Sequence, residues 1–75
     1  MAFTLRQLQF FVAAAEQGSV SGAARMLSIS QSSATEAIRA LEDDLGVTLF
    51  ERQARGLEIT HKGSAFLRPA RQILS

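Results

Sequence analysis

Seventy-five residues, 47% of them hydrophobic and 20% charged, suit one small folded domain, alone or as a piece of a larger chain. The absence of cysteine excludes disulfides and thiolate metal sites, and a formal net charge of +1 does not by itself point to nucleic acid. The longest apolar run, Phe10 to Ala15, is too short to span a bilayer and lacks the basic start of a signal peptide, so a cytoplasmic location with no membrane partner is expected.

Thr4 followed by Gln7 forms a capping-box pattern ahead of Leu5, Leu8, Val12 and Ala15, with Phe11 beside them. This predicts a first helix over residues 5–17 with that stripe inward, stopped by Gly18 as a left-handed cap. Ser19 then caps a short second helix through Leu27, whose Val20, Ala23, Ala24 and Leu27 face inward; the alanines permit close helix approach. Ser28, Ile29 and Ser30 form a tight connection with Ile29 as its buried anchor. A third helix follows over residues 31–45, ended by Gly46, with Val47 supplying the apolar contact of a Schellman cap.

Beyond Gly46 the period changes. Leu49-Phe50-Glu51-Arg52 and Leu57-Glu58-Ile59-Thr60 alternate around Gln53-Ala54-Arg55-Gly56, which is a hairpin pattern with Gly56 able to take positive φ. Thr60 caps a last helix bearing Phe66, Leu67, Ala70, Ile73 and Leu74. The chain stops inside this helical pattern, so a continuation is expected. The order is that of a mainly α winged helix-turn-helix: three helices, a two-stranded wing and a C-terminal linker helix. Residues 1–60 form the domain and 61–75 begin the linker.

The third helix poses a chemical question. From Ser28 to Thr35, five of eight positions carry a hydroxyl, although serine and threonine are mediocre helix formers. Ala34, Ile38, Leu41 and Leu45 make the buried stripe, with Ser32, Glu36, Arg39 and Asp43 opposite and Ser33 and Thr35 flanking. Ser28, Ser30 and Ser33 are all capping options, but one helix needs one cap, which leaves Ser32 and Thr35 unexplained. A helix N-terminus with outward hydroxyls suits phosphate. Gln31 can pair bidentately with adenine, and the Thr35 methyl can touch a thymine methyl. This is the chemistry of a recognition helix. Charge is uneven as well: residues 1–45 set three arginines against five acids, whereas residues 46–75 set five basic residues against Glu51 and Glu58. A polyanion would be held mainly from the second half.

The pattern resembles the N-terminal DNA-binding domain of the LysR-type transcriptional regulators. The resemblance rests on Leu5-Arg6-Gln7-Leu8 with Phe11, and on Gly18-Ser19-Val20-Ser21-Gly22-Ala23-Ala24 with Leu27. It continues through Ser30-Gln31-Ser32, Ile38, Leu41-Glu42 and Leu45-Gly46-Val47-Thr48-Leu49-Phe50-Glu51-Arg52, and closes with Arg55-Gly56, Leu57, Thr60 and Gly63. It implies a homodimer on a double-stranded DNA operator, an interrupted palindrome, with recognition helices in successive major grooves and wings at the flanking minor grooves. It also implies that a small-molecule effector acts only through a C-terminal domain absent from these 75 residues.

By position, the resemblance places Gln31, Ser32, Ser33, Thr35 and Glu36 at bases or nearby phosphates. Ser21 and Ser30 then lie near the backbone, and Arg52 and Arg55 belong to the wing. Arg39, on the outward face, joins the DNA-binding set. The dimer contact falls to Phe66, Leu67, Ala70, Ile73 and Leu74, unless that stripe closes the monomer's own core.

Three departures from the family pattern stand out. Glu36 occupies a position often basic; it can accept from a cytosine amino group or pair with Arg39. Ser32 and Ser33 stand where proline is frequent. Pro69 removes a hydrogen bond to the Ala65 carbonyl in the linker helix, at about 3 kcal/mol if uncompensated.

An enzyme is not expected. There is a single histidine, His61, without evident metal partners, and Asp43 and Asp44 sit in an acidic, solvated cluster. No cofactor or metal is expected. A protein-interaction module that kept the fold, and a winged-helix regulator of another family such as the molybdate-responsive one, remain open at this level.

Overall fold

The computed structural model describes residues 3–54 and 56–75. Its elements are α1 (Leu5–Gln17), α2 (Val20–Met26), α3 (Gln31–Leu45), β1 (Phe50–Gln53), β2 (Gly56–Ile59) and α4 (His61–Leu74). Each of these helices opens on a side-chain cap, at Thr4, Ser19 and Thr60 as expected and at Ser30 among the three serines that could cap α3. Thr4 and Gln7 form the reciprocal capping box, and Ser19, Ser30 and Thr60 accept from the N–H groups of Gly22, Ser33 and Gly63. Gly18 and Gly46 close α1 and α3 with φ of 71° and 70°. The Val47 N–H reaches back to the Glu42 carbonyl at 3.2 Å, the long bond of a Schellman cap, and Val47 packs on the core.

α2 ends one residue earlier than expected, with Leu27 as its cap and still packed on the core. In the turn that follows, Ser28 takes φ 59°, a conformation few non-glycine residues adopt. The Ile29 N–H donates to the Ala24 carbonyl at 3.0 Å, and Ile29 is half-buried beneath the turn.

α1 departs from the single stripe read in its sequence. Its buried residues are Leu8, Phe10, Phe11, Ala13 and Ala14, while Val12 and Ala15 are half-buried and Leu5 is 61% exposed. The reason is that α1 packs against α2, α3 and α4, so it loses solvent on several sides. Phe11 is fully buried, with its ring 5.4 Å from that of Phe50 and 5.5 Å from that of Phe66. One aromatic side chain thereby joins α1, the wing root and α4.

β1 and β2 pair antiparallel in the register Phe50↔Ile59, Glu51↔Glu58, Arg52↔Leu57 and Gln53↔Gly56. Both strands are displaced by about one residue from the segments read in the sequence: Leu49 precedes β1, and β2 begins at Gly56 and ends before Thr60, which caps α4 as expected. Gly56 has φ 130°, and a Cβ there would lie 2.9 Å from the Gly18 carbonyl oxygen, so glycine is required twice over. The Leu57 N–H donates to that same carbonyl at 3.3 Å, tying the wing to the end of α1. α4 runs through Pro69 without interruption; Pro69 and Ala65 are both exposed, so water can serve the carbonyl that lost its donor.

Candidate nucleic-acid interface

α3 buries Ala34, Ile38 and Leu41 and half-buries Leu45, which is the stripe its sequence predicted. That docking turns the opposite face to solvent: Gln31, Ser32, Ser33, Glu36 and Arg39 are exposed and Thr35 is half-buried. Gln31, Ser32, Thr35, Glu36 and Arg39 surround one shallow hollow on this face. A second groove adjoins it through Gln31. There Ser19 and Ser21 of the α2 N-terminus meet Gln31 of α3 and Arg52, Gln53 and Gly56 of the wing. The successive helices α2 and α3 and the more distant wing thus line adjoining hollows, the second of which also has Val20 and Leu57 in its wall.

The serines divide in role. Ser30 is the α3 cap: its Oγ accepts from the Ser33 N–H at 3.1 Å and donates to the Ser33 hydroxyl at 2.9 Å, with Ser32 Oγ 3.3 Å away. Ser30 and Ser33 are therefore engaged in building the helix end. The N–H groups of Gln31 and Ser32 precede the first intrahelical donors and emerge from the positive end of the helix dipole. Glu36 and Arg39 do not pair. The ion pair among the described residues is Arg71 with Glu16, at 3.4 Å and well exposed. The Glu36 carboxylate is left facing outward among hydrogen-bonding groups. Arg55, the other expected wing contact, lies outside the described residues.

Arg52 is exposed on β1 and, two residues from buried Phe50, lies on the same strand face. It lines one crevice with Thr35, Arg39 and Glu42, over an apolar floor that includes Ile38 and Phe50, so a wing arginine and an α3 arginine border the same crevice. The expected dimer residues are less uniform. Ala70 is fully buried within one chain, Phe66, Leu67 and Leu74 are half-buried against its core, and Ile73 is 50% exposed. The rings of Phe3 and Phe11 pack against Phe66, which is half-buried, so part of the apolar stripe of α4 is used within the chain.

Three residues outside the expected site lie at these hollows or at the wing root. Ser19 and Gln53 line the second groove, and Glu42 accepts from the backbone of the wing root. Ser19 and Glu42 stand in the family pattern, Ser19 also as a cap, but nothing local to Gln53 signals a place in the groove.

A winged helix-turn-helix with a polar recognition face defines a class of DNA-binding regulators, and the comparisons narrow the class. Residues 5–64 match the family model described as bacterial regulatory helix-turn-helix protein, lysR family. The chain belongs to the LysR family. It is 59% identical over 69 residues to the HTH-type transcriptional regulator TfdS of Cupriavidus pinatubonensis (strain JMP 134 / LMG 1197), covering 92% of this chain and 23% of that protein. The crystal structure of the CbnR DNA-binding domain in complex with DNA superposes with a TM-score of 0.93 at 50% identity, over 96% of this chain and 83% of that one. That of the BenM DNA-binding domain with catB site 1 DNA gives 0.91 at 38% identity, over 96% and 81%. The chain spans about a quarter of the length of the curated relatives it matches.

Proposed function

We propose that this chain is the operator-reading domain of a cytoplasmic LysR-type transcriptional regulator, binding double-stranded DNA as half of a homodimer. Gln31, Ser32, Thr35, Glu36 and Arg39 read or approach bases in the major groove, while Ser21 and Arg52 hold the adjoining backbone or minor groove. Residues 1–60 act as the DNA-binding unit and α4 begins the linker; any effector is sensed by a separate C-terminal domain. An isologous dimer calls for an interrupted palindrome, with half-sites about one helical turn apart or a multiple of it.

The observation that carries this reading is the convergence of α2, α3 and wing side chains on adjoining grooves that share Gln31. A buried core explains none of these polar groups, whereas a duplex engages all of them. The membership of a family that includes CbnR and BenM, whose domains were crystallised on DNA, supports the same reading. The test is titration of the domain against palindromic and random duplexes across a salt series. Affinity should fall steeply with salt and favour one sequence class. Binding that ignores salt, or none at low salt, would overturn it.

A further inference from the structure

Thr48, Leu49 and Phe50, which join α3 to β1, are held from two sides. On one side, the Leu49 and Phe50 N–H groups both donate to the same carboxylate oxygen of Glu42, at 2.7 and 3.2 Å. Two successive backbone N–H groups converging on one oxygen is how a main chain binds an anion, and here the anion belongs to α3 itself. On the other side, Thr60 donates from Oγ1 to the Thr48 carbonyl at 2.6 Å and from its N–H to the Leu49 carbonyl at 2.9 Å. Gly63 sits so close to the Leu49 carbonyl that a Cβ there would collide with it.

The consequence is geometric. β1 starts at Phe50, and Arg52 two residues on shares its face, so the point at which the chain enters the wing sets where Arg52 stands relative to Arg39. Glu42 lies one turn beyond Arg39 on α3 and lines the crevice that holds both arginines. We infer that Glu42 is a positioning residue for DNA reading: its carboxylate locks the wing root to the recognition helix so that Arg52 and α3 address the same stretch of duplex. The inference rests on the DNA-binding reading above and adds to it a residue that touches no DNA.

Charge provides a sharp test, because removing a carboxylate beside a polyanion should by itself tighten binding. Glu42→Gln loses the charge but keeps an amide oxygen able to accept both N–H groups, whereas Glu42→Ala loses charge and acceptor together. The domain and these variants, with folding checked by circular dichroism, are titrated against an operator duplex over a salt series. Glu42→Gln should bind at least as tightly as the parent. Glu42→Ala should bind about tenfold more weakly, because two donors lose their partner and the wing loses its anchor. Its log–log salt slope should flatten by about one unit, as for loss of one phosphate contact. Combined with Arg52→Ala, Glu42→Ala should cost nothing further, because it acts through that arginine.

Should Glu42→Ala not fold, Glu42→Asp replaces it; this variant keeps the charge but withdraws the oxygens by one methylene and should also bind more weakly. A parent that binds no duplex overturns both readings. A parent that binds, with Glu42→Ala (or Glu42→Asp in its place) equal to it or tighter, overturns this inference alone. So do equal losses in the glutamine and alanine variants, or a Glu42 effect that adds in full to that of Arg52→Ala.

Discussion

Gln31, in the first turn of α3, and Arg52, on the wing, line the same groove although they come from different elements. Under the proposed function the neighbourhood joins two kinds of recognition. An amide can discriminate bases by its donor and acceptor pattern, whereas a guanidinium near the backbone contributes charge that every sequence shares. The two side chains should therefore fail differently when removed.

Arg52→Ala should weaken binding to specific and random duplexes alike and reduce the log–log salt slope by about one unit. Fluorescence titration at several salt concentrations measures both. An unchanged slope would remove Arg52 from the phosphates.

Gln31→Ala should cost about 1–3 kcal/mol of discrimination at one or two positions per half-site and leave non-specific affinity nearly intact. Competition between matched and singly substituted duplexes reads this directly. Parallel losses on both would make Gln31 a backbone contact.

Glu36 is outward-facing and unpaired with Arg39, so the simplest use left for its carboxylate is acceptance from a cytosine amino group. Glu36→Gln should raise affinity for random DNA while lowering discrimination at one cytosine by about 1–3 kcal/mol. Selection from a randomised half-site that returns the same preferences for both proteins would sink the assignment.

Phe11 touches the rings of Phe50 and Phe66 and is completely buried. Phe11→Ala should cost about 3–5 kcal/mol, a large part of what so small a domain possesses. Urea unfolding should show a lower midpoint, and DNA binding should fail as the folded population does.

The dimer prediction centres on Ile73, the one of the five expected dimer residues that is exposed, at 50%. Ile73→Asp should shift the domain toward monomer in sedimentation and weaken binding to a two-half-site duplex, with little effect on one half-site. Leu74 is already packed on its own core, so its replacement should cost stability as well. A parent domain that stays monomeric at high concentration, with and without operator, would refute self-association through this helix.

Much of this protein is local and therefore legible in its residues. The caps at Thr4, Ser19, Ser30 and Thr60 each depend on a bond to an N–H three residues on, and the terminations at Gly18 and Gly46 on backbone freedom within one turn. The buried stripe of α3 follows from helical period, and the stripe decides which side chains face out. The solvent-facing side of that helix is thus set by local periodicity.

What tertiary structure alone decided is how these pieces meet. The wide buried face of α1, the partition of α4 between Ala70 inside and Ile73 outside, and the crevice that Arg52 shares with Arg39 depend on packing between elements remote in sequence. Glu42 shows why. In the sequence it stands in the family pattern with no role attached, and it becomes the anchor of the wing only because the chain turns at Gly46 and brings two N–H groups onto its carboxylate. Periodicity records which face of an element avoids water; it carries no information about which distant group will need a hydrogen-bond partner.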